Sequence, residues 1–131
     1  HIVVTYPLHG GSGHHDHIAL HAAVNRVYHH QQLQSTFLKR LAFFTLPDTG
    51  KPMFIQEGLP RVTWTPPAKI GITVQLTDED VDAMKRALLC YETYQQMVQT
   101  TQVIEHIGRK VHFQLAGVFP PVPYADITEG L

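Results

Sequence analysis

One stretch constrains this chain more than any other. Gly10-Gly11-Ser12-Gly13-His14-His15-Asp16-His17 follows, after Pro7-Leu8-His9, on the apolar run Ile2-Val3-Val4-Thr5-Tyr6. The run is short and rich in β-branched residues, which reads as a buried strand. The glycines let the backbone turn tightly and approach a ligand closely. The periodic segment that follows, from about residue 17 to about Gln34, reads as a helix. Leu20, Ala23, Val24, Val27 and Tyr28 form its apolar stripe, and Asp16 or Ser12 is the expected N-cap at the end of a 7–16 loop. In an open α/β sheet a strand-to-helix turn lies at the carboxyl edge of the strands, where ligands bind. The helix N-terminus beside it favours anionic groups.

The rest of the chain continues the alternation. Lys39 to Leu46, with Leu41-Ala42-Phe43-Phe44, reads as a second strand, parallel to the first through a right-handed strand–helix–strand unit. Pro47 to Pro52 is turn-rich, and the prolines around Val62-Thr63-Trp64 limit any strand there to a short or edge piece. Ile70, Ile72, Val74 and Leu76 alternate as a strand does. Thr77 then caps what reads as the longest helix, with acids in its first turn, Val81, Met84, Leu88, Tyr91 and Val98 as its buried stripe, and a stop at Gly108. Val111 to Leu115 reads as a last strand, and Pro120-Pro121-Val122-Pro123 as an extended tail. The pattern predicts an α/β fold without repeats or an internal domain boundary.

The 131 residues amount to about one domain, and 44% are hydrophobic, enough for a core. A net charge of −1 and the lack of a basic cluster speak against a nucleic-acid surface. No stretch is long and apolar enough to span a bilayer. The single cysteine, Cys90, allows no internal disulfide, which fits a cytoplasmic protein, and reads as a buried, inert thiol. The chain opens on strand-like sequence without an initiating Met, so a preceding part is expected.

Ten histidines stand against ten Lys plus Arg. In the glycine turn, His14, Asp16 and His17 can divide three tasks. One imidazole binds a metal, the carboxylate orients and polarises a neighbouring imidazole, and the other histidine moves a proton. A bound Zn²⁺ lowers the pKa of its water to about 7 and polarises a carbonyl, and histidine suits general acid work at the same pH. Together these parts suit amide hydrolysis. The same residue types also make an ordinary solvated loop, and spacing does not decide between the two. His17 and His21 lie one helical turn apart, with His21 read as a packing or supporting residue rather than a direct ligand. His29-His30 reads as a solvated helix end, Tyr91 as core, and Trp64 as either a sugar-stacking ring or a packing residue.

The run from Ile2 to Tyr6, followed by Gly10-Gly11-Ser12-Gly13-His14-His15-Asp16-His17-Ile18-Ala19-Leu20-His21-Ala22-Ala23-Val24, resembles the second signature of the PIG-L/LmbE-like deacetylase family. The usual form is strand, glycine turn, His-Pro-Asp-His, helix. Lys85 to Tyr94 looks like a variant of the family's late helix. His112-Phe113-Gln114-Leu115 and Asp126 to Leu131 look like the family's C-terminus. The resemblance covers essentially all of residues 1–131, but only the C-terminal half of a family domain.

The resemblance implies a Rossmann-like three-layer sandwich with a mainly parallel sheet, of which this chain is the C-terminal part. It implies a zinc-dependent hydrolase, with Fe²⁺ as an alternative metal, that removes the acetyl group of an N-acetylglucosamine-type sugar or conjugate. His17 matches the metal ligand, His14 the active-site histidine that acts as general acid or carbonyl polariser, and Asp16 the carboxylate that orients it. His15 stands where proline is usual, and Tyr91 and Tyr94 replace a His and a Gln common on the late helix. The first signature, Ala-His-Pro-Asp-Asp, which supplies two metal ligands and the general base, is absent. The missing N-terminal half is thus an expected partner, a homo-oligomer is another, and the piece alone is expected to be inactive. Two other classes stay open: a non-catalytic carbohydrate-binding or assembly module that kept the fold, and a phosphoesterase holding phosphate in the glycine turn.

Overall fold

The computed structural model describes residues 1–50, 63–101 and 103–131. Part of the Pro47–Pro52 turn, and Val62 of the proline-flanked segment, lie outside them. The chain divides into two compact units, residues 1–74 with 112–131, and residues 75–111.

The first unit is built on a four-stranded sheet of β1 (Ile2–Thr5), β2 (Arg40–Thr45), β3 (Ile72–Gln75) and β4 (Lys110–Leu115), in the order β1-β2-β4-β3. Each strand falls within a residue or two of the span expected from the apolar runs. β1 pairs parallel to β2, with Val3 opposite Leu41 and Thr5 opposite Phe43, as expected. β4 pairs antiparallel to β2, with Ala42 opposite Leu115 and Phe44 opposite Phe113. β4 also runs against β3, because Gly71 N–H donates to Phe113 O at 2.8 Å and Leu76 N–H to Arg109 O at 2.8 Å. The sheet is therefore mixed, with β1, β2 and β3 in one direction and β4 reversed. The last strand enters between β2 and β3 in the reverse direction, a choice that local alternation does not encode.

Alternation along β1 and β2 separates two faces. On one face α1 (His15–Gln32) packs across Val3, Leu41 and Phe43, with the His21 and Phe43 rings 5.0 Å apart. On the other, Ala42, Ile72 and Leu115 form the core, with Val74, Phe113, Tyr124 and Ile127 against it. Gly71 lets the backbones close up there, since a Cβ would sit 2.8 Å from Leu115 Cγ.

The inward side of α1 differs from the expected stripe. Tyr28 and His21 are buried and His17 and Val24 half-buried, whereas Leu20 is 46% and Val27 59% exposed. The inward positions 17, 21, 24 and 28 follow helical spacing, and the two imidazoles among them are tolerated because each donates to a backbone carbonyl.

In the second unit, Thr77 caps α2 (Asp78–Leu89) as expected. Its Oγ1 accepts from Asp80 N–H, and the Asp80 carboxylate accepts from Thr77 N–H at 2.9 Å, a complete capping box. The expected single long helix is not formed. α2 ends at Cys90, a 3₁₀ turn spans Glu92–Tyr94, and α3 (Gln95–Thr101) begins after it. The Gln95 amide holds the break by donating to Leu89 O at 3.0 Å and Tyr91 O at 3.1 Å. Beyond the break Tyr91 turns out to solvent, 60% exposed, and Cys90 is exposed, so neither is the core residue expected. Val81 and Val98 of the stripe are buried and Met84 is not.

Candidate functional site

The glycine turn leaves β1 at Thr5 and closes on itself through three bonds. Gly10 N–H donates to Pro7 O at 2.8 Å, Gly13 N–H to His9 O at 3.0 Å, and Gly11 N–H to His9 Nδ1 at 3.1 Å. Gly10, Gly11 and Gly13 all have positive φ, the region L side chains avoid. The approach is tightest at Gly10, where a Cβ would lie 2.9 Å from His17 Cβ and 3.2 Å from His14 O.

The helix starts earlier than expected, with His14 rather than Asp16 or Ser12 as N-cap. His14 has extended backbone, and its Nδ1 accepts from Asp16 N–H at 3.3 Å. An imidazole acceptor thus takes the place usually filled by an Asp or Ser oxygen. His15, Asp16 and His17 form the first helical turn.

These bonds fix the ring tautomers, because a carbonyl can only accept and a backbone N–H can only donate. His17 Nδ1 donates to Gly10 O at 2.9 Å, so the neutral ring offers a lone pair at Nε2. His21 Nδ1 donates to Tyr6 O at 2.8 Å, with the same consequence. His14 Nδ1 is the acceptor, so its neutral ring carries the proton on Nε2. The His14 and His17 rings lie 4.9 Å apart, and Tyr6 stacks on His17 at 3.8 Å with the planes 7° apart. The turn therefore sets a donor ring beside an acceptor ring.

Asp16 is placed less intimately. Its Oδ2 lies 3.9 Å from His14 Nδ1, beyond hydrogen-bond distance, with the two side chains 91% and 51% exposed. The backbone of Asp16, not its carboxylate, orients His14. The carboxylate supplies a nearby, solvent-screened negative charge.

Three residues beside the turn were not singled out from the sequence. Tyr6 stacks on the candidate ligand. His9 braces the turn, and burial, with His21 nearby, holds its pKa below the ordinary histidine value. Thr5 Oγ1 is buried with no partner among the described residues. The available signal was position: all three lie within four residues of the strand end, where the turn must fold back over the helix. Trp64 is half-buried between Thr63, whose N–H donates to Gly11 O at 2.7 Å, and Thr65, which bridges to Pro47.

A zinc site needs three protein ligands. His17 has the chemistry of one, since metal-binding imidazoles commonly donate their other N–H to a carbonyl. Among the described residues no group of three His, Cys, Asp or Glu is placed to hold a metal ion. The described residues thus do not complete such a site. Among them, too, no helix is long and apolar enough to cross a membrane. No protein-family model matches the chain, and no curated protein matches it.

Proposed function

We propose that this chain is the C-terminal half of a Rossmann-like amidohydrolase domain of the PIG-L/LmbE kind, a cytoplasmic enzyme that removes the acetyl group of an N-acetylglucosamine-type sugar or conjugate with the help of a divalent metal, Zn²⁺ or Fe²⁺. The observation that carries the reading is the opposed pair of tautomers. His17 keeps an Nε2 lone pair for a metal because Gly10 O takes its other proton. His14 keeps an Nε2–H because Asp16 N–H fills its Nδ1. At 4.9 Å between rings, one histidine has the chemistry of a ligand and its neighbour that of a donor to a carbonyl oxygen. A metal held with His17 would polarise the acetyl carbonyl and activate water. In this reading, its other ligands and the general base come from the missing N-terminal half.

The open side of the sheet supports an incomplete domain. β1 is an edge strand, with Val4 49% exposed. Beside it an apolar groove runs between β1 and α1, lined by Val3, Ala23, Val24, Val27 and Leu38 among others. Further parallel strands with their helix would cover both.

The test measures metal content and deacetylation of N-acetylglucosamine derivatives for the natural full-length gene product, its His17→Ala variant and residues 1–131 alone. Metal and activity in the full product, both lost in the variant and in the isolated piece, are the expected result. Stoichiometric, chelator-resistant zinc in the isolated piece would refute the incomplete site. A full-length product without metal would sink the catalytic reading in favour of a binding module.

A further inference from the structure

At the amino end of β2, the opposite end of that strand from the glycine turn's side of the sheet, Arg40 is buried, only 8% exposed. Its guanidinium donates to Glu129 O at 2.7 Å and to Ile127 O, and lies over the Tyr124 ring at 5.3 Å. Two of its five N–H donors are thereby used. Carbonyls and a ring ease the burial of a cation without neutralising it. Among the described residues no carboxylate lies within 4.0 Å of Arg40. Asp126 senses the charge, but it is exposed and engaged with Thr128. A buried cation without a counter-charge is costly.

Arg40 lines a cavity of about 180 Å³, together with Lys39, His29, Gln32, Tyr28 and Tyr124. Among the described residues no acidic side chain lines it, and the α-carboxylate of Leu131, whose residue does line it, makes no ion pair with Arg40 or Lys39. Tyr28 is 5% exposed, and its hydroxyl has no hydrogen-bond partner among them. Donors thus converge on the space from a guanidinium, an ammonium, an imidazole and a phenol. That set suits an anion with several acceptor oxygens. The volume is below the roughly 300 Å³ at which drug-sized ligand pockets begin, so a sugar conjugate does not fit and one small oxyanion does.

We infer that this cavity binds a small tetrahedral oxyanion, inorganic phosphate or the phosphoryl group of a small ester, with Arg40 as its buried anchor and Lys39, His29 and Tyr28 as further donors. The inference is independent of the proposed deacetylase reading, since it uses none of the residues in the glycine turn.

Calorimetric titration of the full chain at constant ionic strength tests it, with inorganic phosphate, glycerol 3-phosphate and acetate as probes. One saturable phosphate site is expected. Lys39→Glu should weaken it about tenfold or more, the worth of one charge-assisted hydrogen bond, and Tyr28→Phe should weaken it while keeping the ring in place. Lys69→Glu, at an exposed lysine that does not line the cavity, should bind as the parent does. Glycerol 3-phosphate binding as tightly as phosphate identifies the phosphoryl group of an ester, and binding of phosphate alone identifies the free anion. Absence of saturable phosphate binding, equal affinity in Lys39→Glu, or acetate binding as tightly as phosphate overturns the inference.

Discussion

Gly10→Ala tests the geometry on which the candidate site depends. Gly10 has a φ of 65°, and an added Cβ would meet His17 Cβ at 2.9 Å, Ile18 Cγ1 at 3.1 Å and His14 O at 3.2 Å. Neither a Cβ nor a backbone oxygen at the start of a helix can swing aside as the tip of a long side chain can. The left-handed backbone alone costs about 1–2 kcal/mol for an L residue, and overpacking adds about 1–3 kcal/mol. Gly11 and Gly13 are internal controls, with φ of 77° and 76° and nothing within 4 Å of an added Cβ. Their alanine variants should show the backbone cost alone. At about 4 °C per kcal/mol for a chain of this size, Gly10→Ala should lower the Tm by about 8–20 °C and Gly11→Ala by about 4–8 °C. Thermal unfolding by circular dichroism reads both. ¹⁵N NMR of the His17 ring should also show the Nδ1 proton released from Gly10 O in Gly10→Ala and retained in Gly11→Ala. Equal losses in the Gly10, Gly11 and Gly13 variants would refute the close approach, and with it the account of how His17 is oriented.

The other predictions concern single contacts. His9 has its pKa depressed in the folded chain, first by burial and then by His21, so the unfolded chain binds more protons just below the ordinary histidine value of 6.5. Stability should therefore fall as pH drops through and below that value, and His9→Asn, which keeps an acceptor for Gly11 N–H without titrating, should flatten the loss in denaturant midpoints measured across this range. Asp16→Asn should leave the His14 tautomer unchanged by ¹⁵N NMR, because the backbone N–H of Asp16 makes the contact; a change of tautomer would restore the carboxylate as the orienting group. Thr77→Ala should cost about 1 kcal/mol in denaturant unfolding and let the Asp80 carboxyl rise toward its usual range, since the Thr77 hydroxyl and N–H are what hold it down.

The strands were legible because their signal is local. Ile70, Ile72 and Val74 alternate, β-branched residues crowd Ile2–Thr5, and the turns between are marked by glycine and proline. The direction of β4 was not legible, because it depends on how the chain returns to the sheet. α1 was found, but its inward side was misjudged. Apolar periodicity ranks Leu20, Ala23, Val24, Val27 and Tyr28 as core, yet of these the helix turns only Val24 and Tyr28 inward, with His17 and His21 beside them. What rotates the helix is a pair of backbone carbonyls, Gly10 O and Tyr6 O, that only the folded turn can offer. Residues 90–94 failed differently. The sequence there is compatible with a helix, and the break is held by Gln95, whose side chain binds carbonyls four and six residues before it.

The glycine turn was singled out on residue type, but its chemistry lies in the backbone. Read as a list of side chains, His14, Asp16 and His17 suggest a carboxylate–imidazole pair next to a ligand. In the folded turn, main-chain groups orient both rings and assign opposite tautomers to them. Backbone groups serve this purpose better than a surface carboxylate would, because they neither titrate nor swing away into solvent. The requirement passes to the glycines. Gly10 must present its carbonyl to His17 in a conformation that only glycine takes up without strain, and the chain must leave β1 close enough for Tyr6 to stack on the same ring. A His-x-Asp-His sequence without the glycine turn in front would keep every candidate side chain and lose the arrangement that distinguishes the two histidines.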